Sequence, residues 1–249
     1  MKKISFILIL LFFSFTLFFG IILSSVGIET NKFNKLINQK ISQSNNYVNL
    51  EIETIKFKLD IKEISLFLET KNPKISYREI LIPAKNIKVY VDFLSIIKSE
   101  TKIKKIILDL EQLNIDQLKR LSLTLKPSNF TSYVNNKVIT GKIDTEIEIF
   151  LDKNNLLDNF IARGSVKDLK AEIINNLNLE NASFNFFADN TDILVQKISG
   201  NTKNIDIKNG DLKIKIEPEI SIESNFETNL TINNDIMNYT KNFFENKYS

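Results

Sequence analysis

Paired carboxylates are the residues of this sequence whose spacing could support chemistry. Glu51 and Glu53 are two residues apart, as are Glu146 and Glu148, and paired acids can cleave glycosides or bind a metal ion through their oxygens. In a β-strand, residues two apart lie on the same face, and here they alternate with apolar residues and are mixed with lysines. This pattern favours a solvated charged face, so we assign no catalytic residue, no metal site and no cofactor.

The composition excludes most other familiar chemistry. The 249 residues include no cysteine and no histidine, so the chain has no disulfide, thiol nucleophile, histidine base or Cys/His zinc site. The six glycines form no phosphate-binding loop. Lys and Arg number 33 against 30 Asp and Glu, a balance that does not suit a protein neutralising nucleic-acid phosphates. We therefore expect a non-enzymatic protein that does not bind nucleic acid.

An uncharged apolar run from Ile4 to Ile28 follows Lys2 and Lys3. As a helix it would be about 37 Å long, enough to cross a hydrocarbon core of about 30 Å with some tilt. A cleaved signal peptide is the alternative, but its apolar region is usually only about 7–15 residues long. The two lysines favour a cytoplasmic N-terminus. The sequence predicts one membrane span within residues 1–28, with the bulk of the chain on the other side.

The spacing of apolar residues changes along the rest of the chain. Between Glu29 and Ser42 a spacing of three or four residues predicts an amphipathic helix, which either lies on the membrane surface or packs on the folded domain. Its apolar positions are Phe33, Leu36, Ile37 and Ile41. Beyond Asn49, alternation with charged residues predicts strands with one apolar face. The apolar residues of these strands that could line a groove are Ile55, Phe57, Leu59, Ile87, Val89, Ile143, Ile147, Ile149, Leu212, Ile214, Ile216, Phe226 and Leu230.

Short connections between these runs predict antiparallel hairpins. The turn signals are Asn72-Pro73, Lys153-Asn154-Asn155, Asp189-Asn190 and Asn209-Gly210. Short helices are predicted over 92–99 and 114–123 and a C-terminal helix over 234–248. Pro127 and the polar run from Ser128 to Asn136 predict a loop and the best internal boundary.

The predicted fold is mainly β. A transmembrane helix and an amphipathic helix precede a long antiparallel twisted β-meander, an open groove-like sheet with short helices inserted. We divide the chain into the anchor, 1–28, the amphipathic helix with a first sheet segment, 29–127, and a second segment continuous with the first, 128–249.

The apolar strand faces allow two interpretations. They could line an open groove for lipid, or close on each other as the core of a β-sandwich. Phe184, Phe186 and Phe187 bear on the choice, because one of the three must point away from the apolar face. An outward phenylalanine could contact lipid or a partner, or mark a twisted edge or a bulge.

Two stretches of the sequence carry a resemblance to a known family. The first runs from Ile80 to Ile115 and combines a strand, a short Asp-Phe-Leu-Ser-Ile-Ile helix and a strand that pairs back. The second comprises Gly164 to Leu169, Phe184 to Phe187 and Ile198-Ser199-Gly200. Both stretches, and the order of anchor, amphipathic helix and β-meander, resemble AsmA-like proteins of the YhdP-type branch. Members of that branch are far longer, so the resemblance implies either the N-terminal part of a longer protein or a short relative that works with partners.

The resemblance implies a cell-envelope function. The protein would be a single-pass inner-membrane protein of a two-membrane bacterium, with most of its chain in the periplasm and a role in outer-membrane biogenesis. Its apolar β-groove would bind or conduct phospholipid acyl chains between membranes. The alternative is a membrane-anchored, non-enzymatic periplasmic scaffold or assembly factor, in which a closed β-sandwich pairs an edge strand with other envelope proteins.

Overall fold

The architecture is taken from a computed structural model. It describes residues 2–31, 34–35, 47–63, 65–92, 102–124, 127–152, 154, 156–174, 177–203, 205–216 and 219–230. Several predicted features lie outside these residues, namely the apolar positions of the amphipathic helix (Phe33, Leu36, Ile37 and Ile41), residues 93–99 and the C-terminal helix over 234–248.

The N-terminal helix α1 (Lys2–Ser25) is apolar along its length. Its segment Phe6–Ser25 has a mean hydropathy of 2.9 and none of it is buried against the rest of the protein. This helix is long and apolar enough to span a membrane, although a signal sequence meets the same criteria. It ends where the amides of Val26 and Gly27 both donate to the Ile22 carbonyl. Gly27 has a φ of 77°, which glycine adopts without steric cost.

A strand, and not a helix, follows α1 directly. β1 (Ile28–Thr30) pairs antiparallel with β3 (Ile55–Asp60), so that Glu29 lies opposite Lys56. The prediction of a helix beginning at Glu29 is therefore wrong at its start. The helix termination at Gly27 and the ion pair between Glu29 and Lys56, at 2.6 Å, both favour the extended backbone.

The described strands form one open antiparallel sheet, as predicted. Its first members are β1, β2 (Val48–Glu51), β3, β4 (Ser65–Lys71), β5 (Lys74–Tyr77), β6 (Ile80–Val91) and β7 (Ile103–Leu110). The others are β8 (Leu113–Asn114), β9 (Val138–Leu151), β10 (Leu157–Ile174), β11 (Leu177–Ala188), β12 (Asp192–Asn201), β13 (Ile205–Lys215) and β14 (Ser221–Leu230). The strand order is β1-β3-β4-β6-β7-β9-β10-β11-β12-β13-β14, with β2 beside β5, β5 beside β6 and β8 beside β9.

The chain forms two compact units. The first unit comprises Met1–Glu111 and Ile147–Phe160, and the second comprises Gln112–Glu146 and Ile161–Ser249. β9 and β10 each contribute residues to both. All described strands belong to one continuous sheet and not to two sheets packed face to face, so these residues do not form the β-sandwich that the alternation also allowed. The division at 127/128 inferred from the sequence stays a prediction.

Two short helices precede β9. α2 (Ile115–Ser122) confirms the helix predicted over 114–123, and Asn114 caps it by accepting from the Gln117 amide. The predicted loop after Pro127 is wrong, because α3 (Asn129–Lys137) occupies it. Ser128 caps α3 by accepting from the Thr131 amide, and the Thr131 side chain bonds back to the Ser128 amide. This reciprocal capping starts the helix, and Phe130, Tyr133 and Val134 also have the i, i+3, i+4 spacing of a helix.

The turn predicted at Asn209-Gly210 is also wrong, because β13 continues through these two residues. A register shift between Ile207 and Asn209 absorbs the irregularity. The Phe226 ring of β14 packs over the Gly210 backbone, where an added Cβ would lie 2.3 Å from a ring atom. The glycine therefore allows this close packing and does not mark a chain reversal.

Bulges keep apolar residues on one face of the second unit. Asp168 in β10, Asn181 in β11 and Lys197 in β12 have φ values of 52°, 51° and 54°. At each of them two residues of one strand oppose one residue of its neighbour. Apolar residues three apart can then share a face, as Val195 and Ile198 do. Simple alternation would have placed these residues on opposite faces.

The left-handed backbone at Lys197 gives a testable stability difference. Lys197→Gly should stabilise the protein by up to about 1 kcal/mol, because a non-glycine residue in this conformation costs about that much. Lys213→Gly, at an extended position of the neighbouring strand β13, should destabilise it by about 0.5–1 kcal/mol. Urea unfolding followed by circular dichroism measures both. Equal destabilisation by the two substitutions would contradict the bulge.

Candidate functional site: two apolar sheet faces

The first unit carries one continuous apolar face. Hydrogen-bonded register places five apolar residues side by side across five strands, because directly opposed residues share a face. The row is Ile28, Phe57, Leu68, Val89 and Ile106. A second row joins Leu59, Leu66 and Val91, and a third joins Thr70, Ile87 and Leu108.

The register brings together the predicted residues of this unit. Ile55, Phe57, Leu59, Ile87 and Val89 all lie on this face. Ile55 and Ile87 are buried, whereas Phe57, Leu59 and Val89 keep part of their surface accessible.

Six further apolar residues belong to this face and were not predicted for it: Ile28, Leu66, Leu68, Val91, Ile106 and Leu108. Four of them lie in β4 and β7, where Leu66-Phe67-Leu68 and Ile106-Ile107-Leu108 are consecutive apolar residues. Alternation therefore does not select a face for these strands. The pairing register of β4 with β3, and of β7 with β6, assigns these residues to the apolar face.

The opposite face of the first unit, called here the charged face, is covered by its own side chains. Phe67 and Tyr90 stack with ring centroids 5.1 Å apart, and with Ile107 they form a buried cluster. The Lys105 ammonium lies 4.4 Å from the Tyr90 ring centroid, and Lys88 lies 5.9 Å from that of Phe67. The ammonium groups themselves therefore lie over the rings, and the Lys105 side chain keeps only 13% of its surface accessible.

Ion pairs complete this cover. Lys58 lies 2.6 Å from Glu69, which is only 6% exposed, and Asn86 donates to the other Glu69 oxygen at 2.8 Å. Burial alone would raise the pKa of Glu69, but these hydrogen bonds and the charges of Lys58 and Lys88 outweigh it and hold the pKa below its ordinary value. The buried Glu69 carboxylate thus has a cationic and an amide partner, whereas the buried Ser65 Oγ and Asn86 Oδ1 on the same face have no hydrogen-bond partner among the described residues.

Tyr90 is held protonated at the centre of the charged face. Burial raises its pKa above the ordinary value, and the hydrogen bond that its hydroxyl donates to Asp60 at 3.0 Å, together with the Asp60 charge, raises it further. The phenol is therefore a hydrogen-bond donor at neutral pH. Its position supports packing of this face.

The second unit has an apolar face of its own. One row runs Gly164, Phe186, Val195 and Leu212, and the next runs Ala162, Ala188, Ile193, Ile214 and Ile222. The predicted residues Leu212 and Ile214 lie in these rows and are half-buried. Phe226, opposite Gly210, shares the face and is exposed, and the exposed Ile216 directly follows β13. Leu230, the last residue of β14, pairs with Ile205.

Strand β9 separates apolar from acidic residues. Glu148 lies 3.8 Å from the Lys105 ammonium on the charged face of the first unit, so Ile147 and Ile149 point to the apolar side of that unit. In the second unit Glu146 accepts from Arg163 Nε at 2.8 Å, and Ile143 on the other side of the strand pairs with Leu113.

Glu146 and Glu148 thus each contact a cation, and Glu51 of the other carboxylate pair lies 3.5 Å from Lys74. Within the described residues, no group of three or more acidic side chains is placed to hold a metal ion. That the protein is not an enzyme stays a prediction.

The phenylalanine cluster divides between two faces. Phe184 and Phe186 lie on the apolar face of the second unit, opposite Val166 and Gly164. Phe187 points to the other side, opposite Arg163 and Leu194, and is 37% exposed. The outward phenylalanine that the sequence required is therefore Phe187, and it lies in regularly paired strand.

No family model, no curated protein sequence and no solved structure matches the chain.

Proposed function

We propose that the apolar faces of the two units bind phospholipid acyl chains beside a membrane in which α1 is anchored. The observation that carries the proposal is the difference between the two faces of the first unit. The charged face is closed by stacked rings, lysine ammonium groups and ion pairs, whereas the opposite face is built from rows of apolar side chains, and all five residues of the row from Ile28 to Ile106 keep part of their surface accessible. A partly accessible apolar face of this kind favours an apolar ligand.

The aligned rows suit an acyl chain better than a compact ligand. Each buried methylene contributes about 0.8 kcal/mol, and aliphatic residues from neighbouring strands offer many similar positions. A chain can therefore slide without losing all its contacts at once. No directional hydrogen bonds are needed, which agrees with the apolar character of the rows.

The finer parts of the proposal come from the resemblance to AsmA-like proteins. They are an inner-membrane position for α1, a periplasmic position for the sheet, and movement of phospholipid between membranes. The runner-up function is a membrane-anchored scaffold that binds other envelope proteins.

Photo-crosslinking of the full chain in cells tests the proposal. p-Benzoylphenylalanine replaces Phe186 in one variant and Phe187 in another, two adjacent residues that point to opposite faces. After growth with ³²P-phosphate and irradiation, Phe186→p-benzoylphenylalanine should carry radiolabelled phospholipid and the Phe187 variant should not. Phe187 is the exposed control. Chance contact with lipid would therefore label position 187 more strongly than position 186.

The first unit offers a second matched pair. Phe57 lies on its apolar face and Phe67 on its charged face, in adjacent strands. Labelling at Phe57 but not at Phe67 would extend lipid binding to this unit. Equal labelling within both pairs would refute the proposal, and cross-links to protein at Phe57 and Phe186 would instead favour the scaffold.

A further inference from the structure

One end of the first unit is tied together by ion pairs. Glu63, in the turn after β3, lies 2.5 Å from Lys105 near the start of β7. Lys105 also lies 3.8 Å from Glu148, three residues before the end of β9. The β3–β4 turn and the β9–β10 turn therefore lie at the same end of this unit, which we call the turn end.

Helix α1 joins the sheet at this turn end. Ile28 lies opposite Phe57 in an antiparallel pair, so the chain preceding Ile28 runs alongside the last residues of β3. The Gly27 backbone packs closely there, since an added Cβ would lie 2.7 Å from the Phe57 carbonyl oxygen. The membrane-spanning candidate and the turn end are thus neighbours.

Both turns at this end present large aliphatic side chains to solvent. Ile61 is 68% exposed, and Leu156 and Leu157 are each 64% exposed. Singly exposed apolar residues are common, but Ile61 lies in the turn after β3, the strand beside which α1 joins the sheet. Leu156 and Leu157 lie at the same turn end, beyond β4, β6 and β7 in the strand order.

Aspartate side chains hold both turns in shape. Asp60 accepts from the amides of Lys62 and Glu63 at 3.0 and 3.2 Å. Asp152 accepts from the amides of Asn154 and Leu156, each at 2.8 Å. Fixed turns of this kind hold their apolar tips outward, because the backbone cannot fold them back onto the sheet.

A third turn of the same construction shows that apolar tips are not a requirement of the geometry. Asp189 accepts from the amides of Thr191 and Asp192, both at 2.8 Å, and these bonds hold the pKa of Asp189 below its ordinary value. The residues this turn presents are Asn190 and Thr191, which are polar. The aliphatic tips in the first unit therefore need a different explanation.

We propose that Ile61, Leu156 and Leu157 insert into the interfacial layer of the same bilayer that α1 spans. Two features select a bilayer as the occupant: the tips lie at the end of the unit where α1 joins the sheet, with Ile61 nearest to α1 in the strand order, and their side chains are aliphatic. Lys62, next to Ile61 and exposed, would remain at headgroup level, as lysines do at membrane interfaces. Lipid leaving the bilayer would then meet the apolar face of this unit directly. This contact goes beyond lipid binding by the sheet and does not depend on it.

The absence of native cysteine allows a direct test in the full chain. Single variants Ile61→Cys and Leu156→Cys are labelled with the fluorophore NBD and reconstituted in phosphatidylcholine vesicles with or without doxyl-labelled lipid. Leu81→Cys is the matched control, because Leu81 is 62% exposed but lies ten residues from the end of β6, about 33 Å from the turn end. Phe12→Cys in α1 reports whether the helix is in the bilayer.

We expect quenching of at least twofold at positions 12, 61 and 156 and none at 81. If the label is quenched at position 12, but at positions 61 and 156 is quenched no more than at position 81, the inference is overturned. The lipid-binding proposal would still stand. Blue-shifted but unquenched fluorescence at 61 and 156 would also overturn it, because a second copy or another protein would then cover the tips. Absence of quenching at 12 would overturn both the anchor and this contact.

Discussion

Replacing Lys58 with methionine is expected to destabilise the protein by about 3 kcal/mol. The substitution keeps the length of the side chain but leaves the Glu69 carboxylate, 6% exposed, without the ammonium 2.6 Å away. We expect the lower part of the range for breaking a buried ion pair, because the Lys58 side chain itself keeps 20% of its surface accessible. Urea unfolding of the full chain in detergent micelles, followed by circular dichroism, measures the free energy of unfolding.

A neighbouring lysine provides the control. Lys56 lies on the same face of the same strand and pairs with Glu29 at 2.6 Å, but the Glu29 side chain is 59% exposed. Lys56→Met should change stability little, because water replaces the lost partner. The double variant Lys58→Met/Glu69→Met should recover most of the lost stability, since it removes the stranded charge. Equal effects of Lys56→Met and Lys58→Met would contradict the buried pair.

The same pair gives a pH dependence of defined sign. The pKa of Glu69 in the folded protein lies below its ordinary value of 4.5. Its contribution to stability is therefore fully present above that ordinary value and is lost as the pH falls through the folded pKa. The Lys58→Met/Glu69→Met variant should lose less stability between neutral and acidic pH than the native chain.

Gly164→Ala is the second substitution with a large expected effect. A Cβ at this position would lie 2.0 Å from the Asp144 carbonyl oxygen and 3.0 Å from the Phe186 ring. The first contact is with backbone, so β9 and β10 would have to separate locally. We expect a loss of about 3 kcal/mol, at the upper end of the cost of overpacking, measured by the same unfolding experiment.

Gly210→Ala tests whether backbone contact is the cause. Its added Cβ would lie 2.3 Å from the Phe226 ring, and that ring is 43% exposed and can turn away. We expect a loss of no more than about 1 kcal/mol. If Gly210→Ala proves as destabilising as Gly164→Ala, the Phe226 ring cannot turn away. The contrast between a backbone and a side-chain contact would then not explain which glycines of this sheet can be replaced by alanine.

The contrast between the two faces depends on some residues that sequence alternation assigned to the correct face and on others that it could not assign. Alternation correctly separated Phe57 from Lys58 and Ile214 from Lys213, because each strand has a charged residue between its apolar ones. It could not assign Phe67, whose neighbours Leu66 and Leu68 are also apolar. The register between β3 and β4 places Phe67 opposite Lys58, on the charged face. The Lys88 ammonium lies 5.9 Å from the centroid of the Phe67 ring on that face. That pairing is a long-range property and is not encoded in β4 alone.

Local irregularities were the other features that the sequence did not predict. α3 begins at a Ser-x-x-Thr cap, and Phe130, Tyr133 and Val134 have helical spacing, but Pro127 and the polar residues that follow it favoured a loop. The bulge at Lys197 needs a left-handed lysine, which residue preference disfavours. It persists because Asp211 in the next strand accepts from the Lys197 amide at 3.2 Å. The deciding contact at Lys197 thus comes from another strand, which the local pattern does not specify.

The sequence by itself determined the class of this protein. An uncharged run of helix-spanning length, alternating strands and short polar connections are local properties, and they specified an apolar N-terminal helix followed by an antiparallel sheet. Tertiary structure decided which face is closed and which remains apolar, because closure depends on stacking between Phe67 and Tyr90 and on ion pairs between distant strands. It also decided that Ile61, Leu156 and α1 lie at the same end of the first unit, since strand pairing brings together residues nearly a hundred positions apart.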